Sequence, residues 1–218
     1  MRSGDLGIKL HFDPELQIAL TAFYTWLSND IAFDAREGRL ERIGQSRRMG
    51  SVLYIKTQPS RWLLGTLSVT YVDAELLDPP PPTADDPQPP FEKGQNLPYI
   101  PPLVVRTDLS ASQTLIDDFY AAELNAKFGL GFSFLSSRPL PYGRFADPVA
   151  LLDSSVVLSW KNLGLSFEIY NLLDSQYAAA VYNFSSNWNP NAPQTRLPEQ
   201  HIAAGAPRTF MSTLQVKL

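Results

Sequence analysis

Apolar and polar residues alternate with a period of two through most of this chain, and the alternation is most sustained in ELNAKFGLGFSFL, residues 123–135. Leu124, Ala126, Phe128, Leu130, Phe132 and Phe134 fall on one side, and Glu123, Asn125, Lys127, Gly129, Gly131 and Ser133 on the other. A period of two belongs to a strand, because successive side chains of extended backbone point to opposite faces of a sheet. Glycine and proline punctuation separates such runs and predicts nine strands, at about 5–12, 15–28, 39–57, 61–76, 100–113, 123–136, 149–162, 163–174 and 206–218. The links alternate in length. Those at Asp13-Pro14, at Gln58-Pro59-Ser60 and around Asn162 are short, that from Ser112 to Ala122 is intermediate, and those at 29–38, 77–99, 137–148 and 175–205 are long.

The split of faces recurs from strand to strand. Leu16, Ile18, Leu20, Ala22, Tyr24 and Trp26 oppose Glu15, Gln17, Ala19, Thr21, Phe23 and Thr25; Leu103, Val105 and Leu109 oppose Arg106, Asp108 and Ser110. Leu152, Val156, Leu158 and Trp160 oppose Asp153, Ser155, Ser159 and Lys161, and the last run sets Phe210, Leu214, Val216 and Leu218 against Thr209, Thr213, Gln215 and Lys217. Hydrocarbon requires every backbone amide to be paired, so only a closed barrel puts strands there, each crossing with about 9–11 residues whose lipid-facing side is apolar. These runs have that length, and Arg106, Asp108, Lys127, Lys161, Glu168 and Lys217 all fall on the opposite face, where a wet lumen accepts them. The fold expected is all-β: an antiparallel up-and-down meander forming part of a transmembrane β-barrel, with short periplasmic turns and long extracellular loops. A soluble β-sandwich that binds carbohydrate also alternates, with its apolar face against a second sheet, and is the competing reading.

Composition narrows the classes further. A net charge of −4 gives no reason to expect a nucleic-acid partner, and no apolar run is long enough for a membrane helix. The absence of cysteine excludes a disulfide framework and thiolate metal sites. The start MRSGDLGIKL lacks a secretory pattern, so an exported form would derive from a longer precursor. The stretch Asp78–Pro90 reads as a stiff solvated loop, and the pairs Asp85-Asp86 and Asp117-Asp118 as solvated turns without calcium-loop spacing. His11 and His201 are the only imidazoles, and no serine has a histidine and an acid in a triad arrangement. No enzyme chemistry, metal centre or cofactor is expected.

Specific residues carry a family likeness. SFEIYNLLDSQY (166–177), with Asn171-Leu172-Leu173-Asp174 closing a strand, then a long loop and GAPRTFMSTLQVKL (205–218), resembles the last two strands of the TonB-dependent outer-membrane receptors. RRMGSVLYIK (47–56) resembles that family's strand opened by a glycine after an extracellular loop, and NLPYIPPLVVRTDLS (96–110) its re-entry into a strand at a proline. The resemblance covers essentially the whole chain and implies a place in the bacterial outer membrane, within a barrel of about 22 strands around a plug. Residues 1–218 would form a single C-terminal barrel portion, with plug and signal peptide absent and two open edges, since the first and last of nine strands both run toward the periplasm. The implied partners are outer-membrane lipid, the remaining strands and plug, TonB acting through the plug, and the barrel assembly machinery. That machinery would read Phe210, Leu214, Val216 and Leu218, although the family's last strands finish on an aromatic and this one on Leu218. The implied activity is energy-coupled uptake of an extracellular small molecule: ferric siderophore, cobalamin, another metal chelate or an oligosaccharide. In the last long loop Tyr182, Phe184, Trp188 and Arg196 suit stacking on a sugar or a flat chelate, against the plainer reading of aromatics that pack the loop itself.

Overall fold

A computed structural model of the chain describes residues 1–12, 15–34, 38–79, 81, 91–185 and 198–217. Nine strands form one antiparallel meander: β1 (Arg2–Phe12), β2 (Leu16–Asp34), β3 (Arg39–Ser60), β4 (Leu63–Asp78), β5 (Leu103–Ile116), β6 (Leu124–Leu135), β9 (Val149–Trp160), β10 (Leu163–Tyr170) and β13 (Thr209–Val216). The other four strands are short and lie in the long links: β7 (Arg138–Pro139) and β8 (Phe145–Ala146) between β6 and β9, and the hairpin β11 (Ala178–Ser185) with β12 (Pro198–Ala204) between β10 and β13. Neither β1 nor β13 has a second neighbour among the described residues, so both sheet edges are open.

Register is what makes the sheet amphipathic. Ile8 pairs with Leu20, Leu20 with Leu53, Leu53 with Val69, Val69 with Val105, Val105 with Phe134 and Phe134 with Ala150, so an apolar row crosses seven strands on one face. The adjacent row, on the other face, contains Lys9, Tyr54, Ser68, Arg106 and Ser133. A slip of one residue would exchange the two faces entirely. At the other end of the sheet Ala126, Leu158, Leu165 and Leu214 continue the apolar side through β6, β9, β10 and β13.

No second sheet covers that apolar face among the described residues, which is where the sandwich reading fails. The accessible area is 14475 Å², against about 10,000 Å² for a compact protein of this mass. Leu6 (77%), Phe128 (46%), Phe167 (48%) and Leu214 (67%) stand exposed on it. The buried apolar side chains, Ile43, Ala74, Leu76 and Leu97 in one cluster and Leu140, Ala146 and Val181 in another, all sit at the end where the long links are.

At that end the faces change character. Tyr24, Met49 and Tyr71 close the apolar band; one step beyond, the same face carries Arg47, Asp73 and Glu75, with Arg47 2.5 Å from Glu75 and 3.7 Å from Asp73. On the opposite face Val72, Ala74 and Leu76 enter the core around Ile43. Lipid on one side explains the lower part of the sheet, and water on the outside with packed loops inside explains the upper part.

Several expected boundaries shift. The 29–38 link is mostly strand: β2 and β3 stay paired to Asp34 and Arg39 through bulges at Asp30, because the ladder continues after the apolar pattern has ended. Gly44 at one bulge has φ +86, and a Cβ there would lie 1.8 Å from the Asp78 carbonyl oxygen, so only glycine fits. The turn expected at Gln58-Pro59-Ser60 sits instead at Arg61-Trp62; Pro59 falls in an irregularity between Thr57 and Ser60, where its missing N–H costs nothing. Gly50 lies inside β3 and does not open it, whereas Pro102 does precede β5. β10 ends at Tyr170, so Asn171–Asp174 follow the strand as a turn, and the 175–205 link contains a hairpin. The turn at Asp13-Pro14 and the Asp85-Asp86 pair lie outside the described residues.

The face assignment yields a direct test. Phe132→Lys, on the apolar side in mid-strand, is expected to destabilise the bilayer-inserted protein by about 2–4 kcal/mol, and Ser110→Lys, on the wet side of the neighbouring β5, by under about 1 kcal/mol. Denaturant titration in lipid vesicles measures both, and equal losses would contradict the assignment.

Candidate functional site

The end of the sheet that carries the long links is gathered around Tyr182 and its neighbours on β11. The Tyr182 ring meets Phe33 of β2 edge-on at 5.8 Å and Tyr99 of the β4–β5 link at 5.9 Å. Next to it Asn183 is 1% exposed and donates through Nδ2 to the Pro141 carbonyl oxygen at 2.7 Å, in the β6–β9 link. The backbone N–H of Tyr99 donates to the Pro139 carbonyl at 2.8 Å, and Gln200 of β12 donates to that of Phe145 at 3.0 Å. Four links therefore meet at one place. Strand alternation sets the roles: Val181 and Asn183 point into the core, so Tyr182 between them points out and keeps 37% of its surface exposed.

Of the residues that sequence reasoning assigned to a ligand, Tyr182 and Phe184 are described, and Trp188 and Arg196 lie outside the described residues. Phe184 stacks face to face on His201, with centroids 4.0 Å apart and planes at 18°. That places His201 in the hairpin and His11 on the meander's first strand, on separate sheets. Phe33, Tyr99 and Asn183 belong to the same cluster and were not singled out from the sequence. Their signal is weak, since each is one aromatic or amide in a segment without periodicity.

The turn after β10 anchors this loop. Asn171 (φ +53, 4% exposed) engages both ends of its amide: Nδ2 donates to the carbonyls of Ser175 (3.0 Å) and Ala206 (3.1 Å), and Oδ1 accepts from the Ser175 N–H (2.9 Å). Its own N–H donates to Asp153 Oδ1 on β9 at 2.9 Å, and Asp174 accepts from the Arg208 N–H at 3.0 Å. The outgoing and returning chains are clamped at the loop's root, so that β13 pairs with β10 after a long excursion. Gly205 belongs to the same clamp: a Cβ there would lie 2.4 to 2.5 Å from atoms of the Tyr177 ring.

The polar face of the sheet forms a second surface. Arg106 donates to Asp108 through Nη2 (2.5 Å) and Nε (3.1 Å), and to Ser133 Oγ through Nη1 (2.6 Å). Gly131 opposite leaves room for this fork, since a Cβ would be 2.8 Å from Arg106 Nη2. The Tyr170 hydroxyl donates to Glu168 on the same face. Phe210, Leu214 and Val216 stand on the apolar face of β13 at the open edge, and Leu218 is outside the described residues.

Comparisons with known proteins follow this geometry. The family model for the TonB dependent receptor-like β-barrel matches residues 1–172. No curated protein sequence matches the chain. Among solved structures, the chain aligns with the ferric-catecholate import receptor Fiu of E. coli K12 in its closed form at TM-score 0.67 and 18% identity, over 98% of this chain and 27% of that one. It aligns with the ferric yersiniabactin uptake receptor FyuA of Yersinia pestis at 0.71 and 15%, over 98% and 29%, and with the ferric preacinetobactin receptor BauA of Acinetobacter baumannii at 0.67 and 18%, over 98% and 29%. At such identities the likeness is one of fold, and the chain spans less than a third of the length of each.

Asn171→Ala is expected to cost about 1–3 kcal/mol by leaving buried backbone groups without partners, and to expose the loop root. Limited proteolysis between Ser175 and Arg208 should accelerate at least several-fold, and an unchanged cleavage rate would contradict the clamp.

Proposed function

Because the chain belongs to the TonB-dependent receptor-like β-barrel family, we propose that it forms part of the wall of an outer-membrane receptor that takes up a scarce small molecule. It supplies nine strands, and in this reading other polypeptide would contribute the remaining strands and a plug. An odd number of further strands is needed, because β1 and β13 run in the same direction and a bacterial barrel closes antiparallel. In this reading the apolar face meets lipid, the Arg106–Asp108 face meets the lumen, and the long links are extracellular. Phe210, Leu214, Val216 and Leu218 form the terminal signal that the assembly machinery reads during insertion.

The observation that carries the uptake reading is the convergence of four links on Tyr182, at the mouth of a wall whose register separates lipid from water. Tyr182, Phe184, Trp188 and Arg196 would form part of the capture surface, offering ring faces and one cation to a flat, anionic chelate. A ferric siderophore has that character, and the structural neighbours include receptors named for ferric chelates. Cobalamin, other metal chelates and oligosaccharides share parts of it. Capture would be followed by movement of the plug under force from TonB.

Tyr182 also packs on Phe33 and Tyr99, so its variants need a fold control. In the full receptor, Tyr182→Ala combined with Trp188→Ala is expected to weaken ligand uptake affinity about tenfold or more, from roughly 1 kcal/mol per lost ring contact, with surface abundance unchanged. Unchanged affinity at equal abundance would remove these rings from the capture surface.

A further inference from the structure

Among the described residues one ionisable side chain is buried, and it lies away from the capture surface. Asp30, in β2, is 6% exposed. Its Oδ1 accepts from the Ile31 N–H at 2.8 Å, and its Oδ2 accepts from the Ser46 hydroxyl at 2.5 Å and from Arg48 Nη2 at 2.6 Å. Three donors from two strands meet on one carboxylate, whose charge strengthens each bond. They meet where the β2–β3 ladder is irregular. Pairing passes from Leu27 with Ser46 to Asp30 with Gly44, which gives β2 one extra residue, and then to Ile31 with Arg42, which gives β3 one.

The two bulges cancel in register but not in phase. A ladder without them would also bring Ile31 opposite Arg42, because the extra residues offset each other. What it would reverse is the side to which each later side chain points. Up to Trp26 the even-numbered residues of β2 lie on the apolar face. Beyond the bulges Asp30 and Ala32 turn inward, Ala32 against the Ile43 cluster, while Ile31 and Phe33 turn the other way and are 53% and 38% exposed. In that phase Phe33 meets Tyr182. In the opposite phase Phe33 would replace Ala32 against Ile43, Ala74, Leu76 and Leu97, where its ring would overpack the cluster, and Tyr182 would lose the contact.

We infer that Asp30 is a positioning residue for the capture surface: by pinning the bulges it selects the phase of the hairpin beyond them, and so sets Phe33 against Tyr182. Phe33 lies roughly 10 Å farther along the strand. The inference rests on the reading of Tyr182 as part of that surface. A short carboxylate suits the place, since it reaches the N–H of the next residue as well as two side chains of the partner strand. The bonds to Ser46 and Arg48 belong to the bulged form alone, because in the regular ladder Asp30 would point away from both. Removing the carboxylate therefore weakens one phase and not the other. Gly44 opposite supplies the matching backbone, with φ +86 and no room for a Cβ.

The phase is read by treating Ile31→Cys and Ala32→Cys, one at a time in the full receptor in isolated outer membranes, with a charged maleimide. With Asp30 present, Ile31→Cys is expected to react at least several-fold faster than Ala32→Cys; with Asp30→Ala that preference should vanish or invert. Ser46→Ala, which removes one bond and keeps the Arg48 pair, should reduce it less, and covers the case in which Asp30→Ala does not reach the membrane. A preference unchanged in the variants that reach it would overturn the inference. Uptake of ferric iron supplied as a catecholate chelate gives the second readout. Asp30→Ala and Phe33→Ala should each weaken its affinity about fivefold, the loss of one ring contact, and the double variant no further, because Asp30 acts through Phe33. Losses that add would overturn the inference. If the maleimide preference collapses while Phe33→Ala leaves uptake unchanged, the positioning stands and the capture reading fails.

Discussion

Everything in this structure depends on backbone pairing in a place where water is not available to replace it. Inside hydrocarbon an unpaired amide costs several kcal/mol, so the strands pair in full-length ladders from β1 to β13 and the side chains are left to divide between two solvents. This is a sheet without a core of its own over most of its height. What stabilises it there is the match of one face to lipid and the other to water, and the register that keeps the two apart across rows such as Ile8, Leu20, Leu53, Val69, Val105 and Phe134.

Where the lipid ends, ordinary protein packing takes over. Beyond Tyr24, Met49 and Tyr71 the same strands place Arg47, Asp73 and Glu75 outside and Val72, Ala74 and Leu76 inside, and the clusters around Ile43 and Val181 begin. Side-chain and backbone bonds then join four links into one platform, with Tyr182 at its surface and Asn171 at its root. The opposite, polar face holds the Arg106–Asp108 pair at mid-height.

The lipid-facing part was legible in the sequence because its constraint is local and periodic: the nine meander strands and their faces follow from alternation and punctuation, although the β3–β4 turn falls at Arg61-Trp62 and not at Gln58-Pro59-Ser60. The long-link end was not, since its strands continue after the apolar pattern stops. Asn29 and Asp30 look like loop residues, yet Asp30 is buried and holds Ser46 and Arg48 across a bulge. The motif Asn171-Leu172-Leu173-Asp174 was visible as a family likeness, while its work as a clamp depends on contacts to Ala206 and Arg208, 35 and 34 residues along the chain from their partners, that no spacing announces. The aromatics of the last loop were readable as a group, but their partners Phe33 and Tyr99 come from other loops.

The central claim is that hydrocarbon covers the apolar face. Nitroxide labels placed one at a time at positions 124–135 in membrane-embedded protein test it through collision with oxygen, which concentrates in lipid, and with a water-soluble nickel chelate. The account predicts two opposed oscillations with a period of two residues, oxygen highest at 126, 128, 130, 132 and 134 and nickel highest at 127, 129, 131 and 133. Oscillations of the reversed phase, or uniform protection from both reagents on the apolar face, would mean that protein and not lipid covers those side chains.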